Sequence, residues 1–563
     1  MHAWVEATLA RMSLAEQVGQ MLIADFPAVF THREHENWRR IRSLIQEQRI
    51  GGINLAGGSI FEIACLTNEL QQLSPVPLLV NADVETGAGF GNPWRRACGR
   101  SPELPDCLTG SGTVLPRFMA IGATRNPEYA FQAGQTVGQE CRAIGIHWIN
   151  SPMVDVNTHA RNPIVNVRAF ADDAELVARM GAAFVKGCQA AGVMATLKHF
   201  PGHGDTAEDT HAQLPHLPFD RDRLRRLELI PFQAGISAGA KVVMTAHLAL
   251  PQIDPSQMPA TLSRPLLTDL LRHELGFNGL IMTDALTMQA ITDHYDPGEA
   301  TLLAARAGAD LLLLPADMAR AHARLVEAVT GNELPAAQVR ESVVRILTAK
   351  AELGLHSDRI VALDRIREVV NRPEAQRLAE RVAEDAITLL DHDGRVLPLR
   401  HVQSAKVLAL IISSHSDSAE GEYFAEVLMG GDPQLEWLRW NDGEAADILE
   451  RVRRRLPVCD LVLLAMYLTV GAWKGPMRLP EAMPQLLRHI SAHQLPVVAI
   501  SFGDPYVFAD LPKMSASLCA YGSGRLMEGA VARALRGEST IQGKLPVTIS
   551  ARHRFGAGLR FRR

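Results

Sequence analysis

Eight short, continuous apolar runs recur through the first 350 residues, and each ends in or beside a polar residue. They are Gln20–Asp25, Gly51–Leu55, Pro77–Asp83, Gly145–Asn150, Val193–Lys198, Lys241–His247, Gly279–Asp284 and Asp310–Leu314. Each has the length of a strand and lacks polar alternation, so both its faces are expected to be buried. Helix-like segments with apolar residues three and four apart lie between them, as at Ala174–Ala191, Arg221–Gly239 and Ser263–Leu275. Ser263 stands where an N-cap is expected, with Leu266 and Leu267 opening the apolar face. Alternating apolar strands and helices imply a parallel sheet covered on both faces. Eight such units fit a (β/α)8 barrel, which takes about 250 residues plus insertions. The competing arrangement is an open, doubly wound sheet. The barrel is expected over residues 1–355.

In a barrel of this kind the active site forms at the C-terminal ends of the strands. Those ends carry Asp25, Asn54, Asp83, Asn150, Lys198 with His199, His247 and Asp284. A purely structural chain has no need to gather charged and imidazole groups at one end of successive strands. A polar passage at 356–375 reads as a linker. Beyond it, 376–563 holds four more apolar strand candidates, Val407–Ile412, Leu461–Met466, Pro496–Phe502 and Ser517–Tyr521. Helical segments separate them, which predicts a second, open α/β domain.

Composition removes several classes of function. Lys plus Arg is 57 against 62 for Asp plus Glu, so no basic field points to nucleic acid. The seven cysteines are scattered and form no C-x-x-C pair, so neither a zinc ribbon nor a disulfide framework is expected. No basic stretch precedes an apolar core at the N-terminus, and no apolar run reaches a membrane-spanning length. A cytoplasmic enzyme with no nucleic-acid or membrane partner is expected; the oligomeric state is not legible.

The densest chemistry lies in Lys198–Pro215, KHFPGHGDTAEDTHAQLP, with three histidines, three acids and a lysine. Pro201, Gly202 and Gly204 keep it irregular, and it follows a strand directly, so it is a loop over the barrel mouth. Two other readings stand beside a catalytic one: a solvated polar loop, and a metal site using His199, His203, Asp209 and His211. A second focus is Asp284, which ends an apolar strand as a base, ligand or nucleophile, or else caps the next segment. Asp83 and Glu85 leave their strand with the same side-chain parity. The glycines at 87–91 lack the spacing and the helix of a dinucleotide loop.

KHFPGHGDT followed by D-x-H, with a strand ending MTDAL, resembles glycoside hydrolase family 3, in particular its β-N-acetylglucosaminidase branch. The resemblance extends from MSLAEQVGQM through SPMVDVN, VRAF, AITLLDHDGRVLPL and ISFGDPY to GKLPV. It implies an N-terminal TIM-type barrel followed by a C-terminal α/β sandwich with a mostly parallel sheet. It implies Asp284 as nucleophile and His211, held by Asp209, as general acid/base. Asp83, Arg168, Lys198 and His199 match positions that hold the sugar before the scissile bond; His247 is given only a supporting role. No metal or cofactor is implied. In the β-glucosidase branches the acid/base is a Glu from the second domain; here the barrel loop already supplies the donor, so the second domain is expected to hold no catalytic residue.

The implied activity is a retaining exo-β-N-acetylglucosaminidase acting on peptidoglycan fragments or chitooligosaccharides. Phosphorolysis of the same glycosides, a β-glucosidase activity, and a catalytically silent sugar-binding protein are the alternatives. The chain departs from the family where DVETGAGFG replaces the frequent D-x-E-G-G, and in the segment Asn92–Gly112, which has no counterpart.

Overall fold

The computed structural model describes residues 2–88, 112–209, 213–399, 405–413, 420–429, 435–440, 442–469 and 479–562. Strands form at all eight anticipated runs, with β1, β2 and β5 extending one or two residues beyond them: β1 Leu22–Pro27, β2 Gly52–Ala56, β3 Leu79–Ala82, β4 Trp148–Ile149, β5 Met194–Phe200, β6 Val242–Thr245, β7 Leu280–Met282 and β8 Leu312–Leu313. They pair in the order β7-β6-β5-β4-β3-β2-β1-β8, every ladder parallel. A parallel bridge from Met282 to Leu311 and the bond from Thr283 N–H to the Leu311 carbonyl at 3.0 Å close the ring. The architecture is therefore a closed barrel and not an open sheet.

The helical segments depart from expectation in two places. The 221–239 segment is two helices, Arg221–Arg226 and Leu229–Ser237. Pro231 has no N–H to offer and would clash with the carbonyl of residue 227 in a continuous helix, which accounts for the break. The helix after Ser263 has no side-chain cap, and the Ser263 hydroxyl instead donates to Asp254 Oδ2 at 2.6 Å. The segment after it, Pro265–Glu274, winds as a π-helix that buries Leu266, Leu267, Leu270 and Leu271.

The second sheet contains β9 Thr388–His392, β10 Val407–Ser413, β11 Leu435–Arg439, β12 Leu461–Tyr467, β13 Val497–Ser501 and β14 Ala516–Cys519. Its order is β11-β10-β12-β13-β14-β9, parallel except for β9 at one edge. Both faces are buried. One carries Leu408, Leu410 and Leu464, and the other carries Ala409, Ile411 and Leu463. Between the two domains the helix Phe118–Ala123 acts as a wedge. It sends Phe118 and Ile121 into the barrel core and Met119 and Ala120 into the second. The Arg125 guanidinium donates to the Leu545 carbonyl at 2.7 Å, and Asp172 accepts from Thr548 N–H at 2.6 Å. Residues between the domains are also held to the barrel, Asn68 exchanging hydrogen bonds with the backbone of Val361 at 2.8 and 2.9 Å. Among the described residues, no helix is long and apolar enough to cross a membrane.

Candidate active site

The end of β3 and the end of β5 meet through charge. Asp83 and Glu85 leave β3, and Lys198 Nζ lies 3.1 Å from Asp83 Oδ1 and 2.8 Å from Glu85 Oε1. Glu85 also receives the fork of Arg168, Nε to Oε2 at 2.9 Å and Nη2 to Oε1 at 2.6 Å, the bidentate geometry that a guanidinium favours. A third donor of Arg168, Nη1, reaches the Ile164 carbonyl at 2.9 Å. Burial works against a charge on Glu85, but Arg168 and Lys198 prevail and hold its carboxyl well below the usual range. Burial likewise opposes the Lys198 ammonium, yet Glu85 and Asp83 push its pKa up. Asp83 differs from its neighbour: its side chain is 61% exposed at the mouth.

Successive strand residues ordinarily point to opposite faces. The β5 ladder shifts register between Leu197 and Phe200, and such irregularities re-aim side chains. Lys198 thus turns to the acids of β3 while His199 turns to Asp155. The buried Asp155 carboxylate accepts from the backbone N–H of His199 at 3.2 Å and of His203 at 2.7 Å, and stands 2.9 Å from His199 Nδ1. Burial and the neighbouring His199 lower the His203 pKa to about 4, leaving that imidazole neutral. Gly204 is required by close approach, since a Cβ there would overlap the Val156 carbonyl oxygen.

Asp284 stands two residues beyond β7. Its Oδ1 accepts from the N–H of Ala285 at 2.7 Å, and its own N–H points to Thr245 Oγ1 at 3.4 Å. It caps no helix, because the next one, Gln289–Thr292, starts after Met288. Burial raises the cost of its charge, but the imidazoles of His199 and His247, the Ala285 N–H and Lys198 outweigh it, so the carboxyl lies below its ordinary range. His247 supports this turn, with Nε2 2.9 Å from the Ala285 carbonyl and Nδ1 2.8 Å from Thr261 Oγ1.

Not every strand-end residue joins the mouth. Asp25 points outward and pairs with Arg40 at 3.2 Å. Asn54 and Asn150 are spent on a chain of amides that also includes Asn81: Asn81 Nδ2 donates to Asn150 Oδ1 at 3.2 Å, and Asn150 Nδ2 to Asn54 Oδ1 at 3.4 Å. Asp209 is buried on the long loop, and His211 lies outside the described residues, as do 92–111 of the unmatched segment. Among the described residues, no group of three or more His, Cys, Asp or Glu is gathered as a metal site would need. Asp155 was not among the sequence candidates, and Glu85 was noted beside Asp83 without a role. Their traces were Glu85's shared parity with Asp83, and an acid inside the otherwise apolar SPMVDV.

A closed parallel barrel with an ionised carboxylate, a buried lysine and a forked arginine at its C-terminal mouth is the framework of a barrel enzyme. Residues 13–349 match the glycosyl hydrolase family 3 N-terminal domain, and residues 387–556 match the C-terminal domain of the same family. The chain belongs to glycosyl hydrolase family 3, and its substrates are glycosides. A β-N-acetylglucosaminidase/β-glucosidase of Cellulomonas fimi is 29% identical over 97% of this chain and 95% of its own. A solved family 3 β-N-acetylglucosaminidase from Paenibacillus sp. str. FPU-7 superposes with a TM-score of 0.81 at 30% identity, covering 96% of this chain and 99% of that one. A β-glucoside phosphorylase, BglX, bound to 2FGlc gives 0.83 at 26% identity over 97% and 96%.

Proposed function

We propose that this chain is a retaining exo-β-N-acetylglucosaminidase that releases terminal GlcNAc from peptidoglycan fragments or chitooligosaccharides. Asp284 attacks the anomeric carbon, and His211, oriented by Asp209, first protonates the leaving oxygen and then deprotonates the incoming water. Asp83, Arg168, Lys198 and His199 hold the sugar in the subsite before the scissile bond.

The observation that carries this reading is the state of Asp284. A nucleophile must be ionised, and this carboxyl is held below its ordinary range at the mouth of the barrel. One of its oxygens is fixed by Ala285 N–H, which orients the other. Retention calls for a donor near the leaving oxygen, about 5–5.5 Å from the nucleophile when both groups are carboxyls. Histidine, with an ordinary pKa of about 6.5, can give and retake a proton near neutrality. Asp209, two residues before His211, would fix the imidazole tautomer and stabilise the imidazolium. Two of the similar proteins above carry β-N-acetylglucosaminidase in their names.

Phosphorolysis is the second reading, favoured by the likeness to a β-glucoside phosphorylase. A neutral imidazole donor does not repel an incoming anion. A carboxylate at ~4 Å would do so by about 4 kcal/mol at an effective dielectric near 20. Initial rates on aryl β-GlcNAc and aryl β-glucoside, each with and without phosphate, separate the readings. Preference for GlcNAc with no phosphate dependence supports the hydrolase; formation of a sugar 1-phosphate with a phosphate-dependent rate overturns it. Preference for glucoside overturns the GlcNAc assignment.

A further inference from the structure

We propose that Asn162 is a positioning residue for substrate binding, seating the Arg168 guanidinium through one peptide unit and tying it to the loop that follows β5. Resting on the reading of Arg168 given above, this role belongs to a buried residue that sets where the sugar-binding fork stands.

Asn162 is fully buried on the loop between β4 and β5, and all four hydrogen-bonding positions of its amide are used. Its Oδ1 accepts from Ile164 N–H at 2.9 Å and from Val165 N–H at 2.8 Å. Its Nδ2 donates to the His203 carbonyl at 2.8 Å and to Thr206 Oγ1 at 3.3 Å. Two N–H groups on one side and a carbonyl on the other fix which way the amide faces. Pro163 has no N–H, so Ile164 and Val165 supply the first backbone donors downstream, and the side chain folds back onto both in an Asx-type turn.

The Val165 N–H and the Ile164 carbonyl are two ends of one planar peptide unit. Asn162 Oδ1 takes the N–H, and Arg168 Nη1 donates to the carbonyl at 2.9 Å. The other two contacts of the guanidinium go to Glu85, which leaves a different strand, so the peptide unit is what joins the fork to its own loop. The next carbonyl, of Val165, accepts the Arg168 backbone N–H at 2.8 Å. Side chain and backbone of Arg168 are thus set by the same short stretch. On its other side, Asn162 joins that stretch to His203, whose own N–H donates to Asp155 Oδ1 at 2.7 Å. A second tie runs beside it: Asn162 N–H donates to the His159 carbonyl at 3.0 Å, and His159 N–H to the Gly204 carbonyl at 3.2 Å. Buried hydrogen bonds linked in this way polarise one another and are costly to leave half made.

The test measures KM, kcat and melting temperature on aryl β-GlcNAc for Asn162→Ala, Asn162→Leu, Asn162→Asp, Arg168→Lys and the double variant Asn162→Ala/Arg168→Lys. Asn162→Ala leaves the Val165 N–H without its acceptor and is expected to raise KM about tenfold with kcat little changed, since small misplacements of binding groups carry penalties of that size or larger. Asn162→Leu, close in shape to asparagine, removes the same groups without opening a cavity and should match it. Asn162→Asp keeps an oxygen for both N–H groups but turns its second oxygen onto the His203 carbonyl. It should lower the melting temperature while holding KM within about twofold of wild type. Arg168→Lys should raise KM, and the double variant should lose no more than Arg168→Lys alone, because Asn162 acts through the guanidinium. A lower melting temperature with unchanged KM in Asn162→Ala and Asn162→Leu overturns the proposal and makes Asn162 a structural clasp only. Equal KM losses in Asn162→Leu and Asn162→Asp overturn it too, as do additive losses in the double variant. If Arg168→Lys leaves KM unchanged, the reading of Arg168 falls and the Asn162 role with it. If Arg168→Lys raises KM and neither Asn162→Ala nor Asn162→Leu does, only the Asn162 role falls.

Discussion

Two lysines are buried at opposite ends of one barrel, Lys198 at the mouth and Lys350 at the floor, 2% and 0% exposed. Lys198 sits between Glu85 and Asp83, and its pKa is raised. Lys350 donates to the neutral Gln20 Oε1 at 2.6 Å, and burial lowers its pKa to about 7. Gln20 precedes β1, and the buried His147 precedes β4. Burial, Arg142 and Lys350 together lower the His147 pKa to about 3. The same residue type is therefore kept charged at one end and pushed toward neutrality at the other. Counter-charges are concentrated at the C-terminal mouth, where barrel enzymes place their active sites. Variants at the mouth should change catalysis, and variants at the floor should change stability alone.

The largest effect is expected for Asp284→Ala. Loss of a nucleophile should lower kcat by about 10⁴- to 10⁶-fold while the sugar still binds, as calorimetry with GlcNAc would report. Substantial residual turnover would remove Asp284 from the role and leave the charge concentration unexplained. His211→Ala should follow, costing about 10²- to 10⁴-fold on glycosides with poor leaving groups and far less on activated aryl glycosides. An equal loss on both substrate types would mean that His211 is not the proton donor.

The contrast between mouth and floor was only half legible in the sequence. The barrel was, because eight buried parallel strands produce eight uninterrupted apolar runs. In the second sheet, β11 escaped notice because LEWLR alternates and lies at an edge, and β9 is a short antiparallel edge strand within AITLLDHDGRVLPL. At the mouth, Asp83, Lys198, His199 and Asp284 stand at or just beyond strand ends in recognisable motifs. Glu85 and Asp155 act by holding other side chains, and their faint local traces do not reveal partners that lie 83 or 44 positions away. Asp25 misled for a related reason. Strand parity decides whether an end residue faces mouth or solvent, and Asp25 faces Arg40. Lys350 belongs to a helix and shows no sequence sign of burial among apolar groups.

Glu85→Gln tests the mouth's half of the comparison. The amide keeps the shape and removes the charge shared by Arg168 and Lys198, leaving two cations with Asp83 as their nearby acid. Breaking one side of a buried pair costs about 3–5 kcal/mol, and KM should rise about ten- to a hundredfold as Arg168 loses its seat. The pH dependence has a definite sign. Because the folded carboxyl lies well below its reference of 4.5, its contribution is full above that value and is lost as pH falls through the lower folded pKa. Denaturation at pH 7 and at pH 3.5 should therefore show the wild-type advantage shrinking in acid. An advantage that stays constant would mean that Glu85 contributes shape and not charge.

The smallest effect on activity, and the opposite effect on stability, is expected for Lys350→Met. Wild-type Lys350 falls from a reference of 10.5 to about 7, so the folded chain binds fewer protons than the unfolded one between those values. Stability of the wild type then climbs as pH rises from about 7 to about 10.5. Below pH 7 the burial cost is fully present, on the order of 4–5 kcal/mol at 1.36 kcal/mol per pKa unit. Methionine removes that cost and forfeits the hydrogen bond to Gln20, leaving a net gain of about 1–4 kcal/mol, the range seen when buried charges give way to apolar side chains. The gain should be full at pH 6 and largely gone by pH 10, with kcat and KM unchanged because the floor holds no substrate. His147 remains in both proteins, so both should weaken as pH falls below 6.5, the variant less steeply because one of the charges lowering the His147 pKa is gone. Urea denaturation at pH 6, 8 and 10 resolves these curves. A variant less stable at pH 6, or a gap that does not close toward pH 10, would show that Lys350 is as well supported as Lys198, and the contrast between the two ends of the barrel would disappear.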